Sequence, residues 1–161
     1  MAKALDKLIG SVAQSLQKMA GVETQEQRSA RETQQLHASI AMLLYETARA
    51  DHDIKEEDLE VASTCLSELL ALSPEQAHDL MHHAAKPHAR PTSYHPFVKA
   101  VNEQFNAEQK LLLIEYMWRV AHADQDIDKY EDHLIRKISE LIYVHHRDFI
   151  AAKHRARAQS D

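Results

Sequence analysis

Paired carboxylates are the residues in this chain best placed to do chemistry. Asp51 and Asp53 stand two apart, followed one turn later by Asp58; Asp124 and Asp126 repeat the arrangement, followed by Glu131. Carboxylates two apart in a non-helical turn can face one ion, and a third acid one turn into the next helix can close the shell. This is the chemistry of a hard divalent cation such as Ca²⁺, Mg²⁺ or Mn²⁺. The competing use is electrostatic: acids at a helix N-terminus gain ~0.3–1 kcal/mol each from the macrodipole and free N–H groups. An EF-hand is excluded at the second corner, where Lys129 and Ile135 stand in place of the required Gly and Glu.

Other candidate groups are weaker. His78 and His82, at i, i+4 beside His83, have a spacing that can bind zinc, but no HExxH pattern and no cysteine pair supports a site. Cys65 lies on an apolar stripe and reads as a buried, inert thiol. No catalytic residue is assigned, because no Ser/His/Asp or Cys/His set has diagnostic spacing. The chain is read as a non-enzyme.

Helices must position these groups. Of 161 residues only Gly10 and Gly21 are glycine, and all four prolines fall between Pro74 and Pro96. Any left-handed corner beyond residue 21 must therefore be made without glycine. That scarcity excludes Gly-rich phosphate loops and argues for an all-α chain. Leu5, Leu8, Ile9, Val12, Leu16 and Met19 mark an amphipathic first helix that Gly21 ends. The polar run 23–35 feeds a second helix with Leu36, Ile40, Leu43, Leu44 and Thr47 inward. A third covers 56–70, with Leu59, Ala62, Cys65, Leu66 and Leu69 inward. Ser73, Pro74 and Gln76 open a fourth by capping. The proline segment 85–96 is the one flexible connection expected, with a short helix from Thr92 or Ser93 through Val101. Asn106 caps an apolar helix with Leu111, Leu112, Ile114, Met117, Trp118 and Ala121, expected to be central. Asp128 to Glu131 reads as a capping box for a helix with Leu134, Ile135, Ile138 and Leu141. A last helix carries Phe149 and Ile150.

The chain repeats itself at a shift of 73 residues. Ala48-Arg49-Ala50-Asp51-His52-Asp53-Ile54 aligns with Ala121-His122-Ala123-Asp124-Gln125-Asp126-Ile127, five of seven positions being identical. Asp58 meets Glu131, Cys65 meets Ile138, and Tyr45 meets Trp118, the last pair read as paired core aromatics. Two copies imply a compact bundle of about 7–8 helices with internal pseudo-two-fold symmetry. The halves run over about 36–84 and 107–157 within a domain of 31–161, preceded by an N-terminal helix and lead-in over 1–30. Charge gathers at the corners: residues 51–60 carry −5 and 124–132 carry −4, leaving +3 on the rest of a chain whose total is −6.

The twin A-x-A-D-x-D-I corners, the stretch Trp118-Arg119-Val120-Ala121-His122-Ala123-Asp124 and the helix Tyr130-Glu131-Asp132-His133-Leu134-Ile135-Arg136 resemble the TerB-like tellurite-resistance family. The same domain type occurs beside J-domains in DjlA-type membrane co-chaperones. The resemblance covers roughly 36–157. It implies a compact helical fold, no established catalysis, and acidic corners that hold metal ions or bind partners. The family often has Gly between the two acids, where His52 and Gln125 stand here.

Two functional readings follow. In one, the chain is a stress-response module whose corners bind divalent cations through Asp51, Asp53, Asp58, Asp124, Asp126 and Glu131. In the other, it is a co-chaperone-like adaptor using its surface and first helix, the acids being helix caps. The partner expected is a protein, with a homodimer as a further option. The first helix is expected either to pack on the bundle or to contact a partner or a membrane surface, peripheral membrane contact being the weaker option since the stripe has no Trp or Phe. An acidic chain without a basic stripe argues against nucleic acid. No run reaches the ~20 apolar residues of a membrane span. A single cysteine and no signal segment point to the cytoplasm.

Overall fold

In a computed structural model of the chain, the described residues are 2–50, 54–87, 91–123, 127 and 129–160. They form eight helices and no strand: α1 (Ala2–Met19), α2 (Gln25–Arg49), α3 (Glu56–Leu70), α4 (Pro74–Ala84), α5 (His95–Gln104), α6 (Ala107–His122), α7 (Lys129–Leu141) and α8 (His146–Ser160). Two compact units are distinguished, Met1–Gln35 and Leu36–Asp161.

The first unit holds α1 and the start of α2. Gly21, at φ 69°, ends α1 in the left-handed region, and Val22 N–H closes back on the Gln17 carbonyl at 2.9 Å. Thr24 then caps α2: its Oγ1 accepts from Gln27 N–H at 3.2 Å, while Gln27 Oε1 accepts from Thr24 N–H at 3.0 Å. The polar run expected to lead into the second helix is thus its first three turns.

In the second unit, the capping signals act as read. Ser73 and Gln76 exchange bonds at 3.2 and 3.0 Å, and Asn106 and Gln109 exchange two at 2.9 Å. The short helix starts later than expected, at His95, because Pro96 suits a first turn. Under the 73-residue shift, the end of α2 at Arg49 falls on the end of α6 at His122. The start of α3 at Glu56 falls on the start of α7 at Lys129. The repeat is therefore a repeat of helix frames.

Packing departs from the expectation in three places. The most enclosed element is α2, every residue from Ser39 to Ala48 being buried, whereas α6 keeps its outer face open and Leu112 exposed. Glu46 and Thr47 sit inside α2 because Arg49 and the Leu43 carbonyl satisfy them, at 2.6 and 2.8 Å. Trp118 and Tyr45 are both buried, but the ring beside Trp118 is Phe149, 5.4 Å between centroids. Lys153 Nζ lies 4.7 Å over the indole. The third helices also differ: α4 packs chiefly on α3, whereas α8 packs chiefly on α6.

Candidate functional site

The two acidic corners join α2 to α3 and α6 to α7. Asp51, Asp53, Asp124 and Asp126 lie outside the described residues, as does Asp128. The acids one turn further on are placed: Asp58 and Glu131 occupy the third positions of α3 and α7, and they are only 7% and 2% exposed. Asp58 Oδ2 accepts the Lys55 N–H at 2.9 Å, a capping interaction. Both carboxylates make further polar or electrostatic contacts, as buried carboxylates must. Among the described residues, no group of three or more His, Cys, Asp and Glu is gathered as a metal site.

Beside the corners lie two clefts that the repeat relates. An open cleft of about 810 Å³ runs between the N-terminal half of α3 and the end of α6, lined by Glu57, Glu60 and Val61 on one wall and by Arg119, His122 and Ala123 on the other. A smaller one, about 200 Å³, has Tyr130, His133 and Leu134 of α7 facing Glu46, Arg49 and Ala50 of α2. Each of these six positions maps onto its counterpart by 73 residues. The first helix of each half therefore ends against the second helix of the other half, so the halves are interlocked crosswise. The clefts differ in charge: the larger has Glu57 and Glu60 on α3 and Arg119 on α6, whereas the smaller has the Glu46–Arg49 ion pair on α2 and His133 with Lys137 on α7. The repeat signalled two halves, but nothing in the sequence told which helix each end would meet.

Charged contacts hold these walls. Glu68 Oε2 accepts from Arg119 Nη1 at 2.9 Å and from Tyr116 OH at 3.0 Å, tying α3 to α6. The Arg119 hydrogen bond keeps the Glu68 carboxyl below the usual carboxylate range, against a smaller opposing effect of burial. Cys65, buried at the base of the larger cleft, is pushed up to about 11 by desolvation, as befits an inert thiol. On α8, Lys153 reaches Asp132 of α7 at 3.0 Å, and Arg155 reaches Glu115 of α6 at 2.9 Å.

The histidine pair is a surface feature. The His78 and His82 rings lie 3.9 Å apart between centroids, tilted by 36°, on an exposed face, and His82 Nδ1 meets the His78 carbonyl at 3.0 Å. One ring nitrogen is thus spent within the helix.

The family model described as "Tellurite resistance protein TerB" matches residues 37–154. No curated protein and no solved structure matches the chain. The matched span takes in both corners and the α2–α3 and α6–α7 helix pairs that the repeat relates, and by that match the chain belongs to the TerB tellurite-resistance family.

Proposed function

We propose that this TerB-family chain is a non-enzymatic module whose two corners each bind a divalent cation. Asp51, Asp53 and Asp58 would supply the first site; Asp124, Asp126 and Glu131 would supply the second. The observation that supports the reading is the repeat itself: Asp58 and Glu131 stand at the same third position of α3 and α7, one turn beyond an identical pair of aspartates, so one set of oxygen donors recurs in both halves. The chain's single cysteine, buried and high in pKa, accords with a cytoplasmic setting.

Thermal melting of the full chain with Ca²⁺, Mg²⁺ or Mn²⁺ tests this. A cation about 100-fold above its Kd adds about 2.7 kcal/mol to stability. Asp124→Asn with Asp126→Asn should halve the ions bound in calorimetric titration, and adding Asp51→Asn with Asp53→Asn should remove the rest. If none of the three ions moves the melting temperature, the reading fails. One observation favours the second reading, an adaptor without metal: Asp58 already bonds the Lys55 N–H as a cap does. Under that reading the chain shows no ion response with or without the four substitutions, and deleting residues 1–20 leaves the fold intact but removes a protein partner.

A further inference from the structure

The inference concerns α1 and does not depend on the corners. Leu5, Leu8, Ile9, Val12, Leu16 and Met19 are each at least 55% exposed, and α1 buries none of its residues. Six such side chains on one stripe present on the order of several hundred Å² of apolar surface, the upper range for a monomer. Five of the six fall into a narrower pattern within that stripe. Leu5, Ile9, Val12, Leu16 and Met19 alternate by four and three residues, the d-a-d-a-d order of a coiled-coil seam.

Charge placement separates a helix partner from a lipid surface. In that register Lys3, Lys7 and Lys18 fall at b, f and c, on the side away from the stripe. Lysines there do not rim the apolar face, as they would to reach anionic headgroups beside it. The e and g flanks instead carry Asp6, Ala13, Leu8 and Ser15, with Asp6 the one charge among them. Two copies can therefore close on each other without like-charge contacts along most of the seam. In a parallel pair, g faces the following e, so Leu8 packs on the partner's Ala13 and Ser15 on the partner's Ala20. That accounts for the sixth apolar residue, which lies outside the a/d seam. Two such faces together reach the ~1,000 Å² at which specific interfaces begin.

We propose that α1 is a self-association element, and that two copies of this chain pair in parallel through Leu5, Ile9, Val12, Leu16 and Met19. Sedimentation equilibrium of the full chain should show a mass that climbs from 18.4 kDa towards twice that value as concentration rises. Ile9→Asp with Val12→Asp should hold it at 18.4 kDa throughout. Because that variant also weakens α1 itself, a second test uses orientation. Under mild oxidation Leu5→Cys, in the seam, should form an intermolecular disulfide at least about tenfold faster than Lys7→Cys, on the outer side. Three results would overturn the proposal: a monomer up to about 1 mM, equal cross-linking rates for the two cysteines, or a chain that stays monomeric while binding phosphatidylglycerol vesicles.

Discussion

At Ala71 the backbone leaves α3 through φ 52° and ψ 44°, and Leu72 N–H closes back on the Ser67 carbonyl at 3.1 Å. This is a left-handed helix cap made by a residue that carries a Cβ. The Cβ costs ~1–2 kcal/mol in that conformation. Ala71→Gly relieves the cost but gives the unfolded chain extra freedom worth ~0.5–1 kcal/mol. Ala71 is exposed, so no packing is lost with its methyl group. The net expectation is a gain of ~0.5–1 kcal/mol, or about 2–5 °C in melting temperature for a unit of this size. Tyr143 has the same strain at φ 63°, but its ring also meets Lys110 Nζ at 5.9 Å, so two effects mix there. Urea unfolding and thermal melting followed by far-ultraviolet circular dichroism measure the change. Ala71→Val is the control, and a β-branched side chain at this φ should lower stability by more than 1 kcal/mol, on the order expected for an incompatible backbone. A glycine variant less stable than the parent, or a neutral valine variant, would refute the reasoning.

Two further expectations concern titrating groups. Cys65, with its thiol pushed up to about 11, should react with iodoacetamide at pH 8 at least about 100-fold more slowly in the folded chain than in urea; comparable rates would contradict its burial. The Glu68 carboxyl is held low in the folded state, so its stabilisation is complete above the unfolded value of about 4.3 and is lost as pH falls through the lowered one. Glu68 is part-exposed, so Glu68→Gln should cost only ~0.5–1 kcal/mol at pH 7. That difference should shrink in urea titrations as pH falls below the unfolded value, and a pH-independent difference would argue against the ion pair.

Element boundaries were legible wherever a local interaction makes them. Ser73 with Gln76 and Asn106 with Gln109 are caps written in adjacent residues, and the structure uses both. The start of α2 was not read, because a run without an apolar face has no periodicity to detect; its signal was the Thr24–Gln27 cap. The scarcity of glycine required left-handed corners from other residues, but not which ones, since Ala71 and Tyr143 carry no turn signature. Core identities at short range were also readable, as with Ile40, Leu43 and Leu44. Long-range choices were not. Periodicity says that Trp118 faces inward but not that Phe149 meets it, and the repeat predicts equivalent helices without fixing which neighbour each selects. At the candidate site, spacing singled out Asp58 and Glu131 as candidates one turn beyond each corner, while their burial needed the tertiary structure.

The attachment of α8 to α6 also bears on how the chain is made. Arg155 meets Glu115 forty residues away, and the Phe149 ring covers Trp118 from the same distant helix. A ribosome adding 5–20 residues each second leaves that span incomplete for roughly 2–8 s. During that interval Ile114, Met117 and Trp118 have emerged or are emerging without their cover. The α3–α4 pair has no such delay, since α4 follows α3 almost at once and packs on it. The nascent second half is thus where a holdase would find apolar surface to grip, and where slow translation would expose the chain to aggregation.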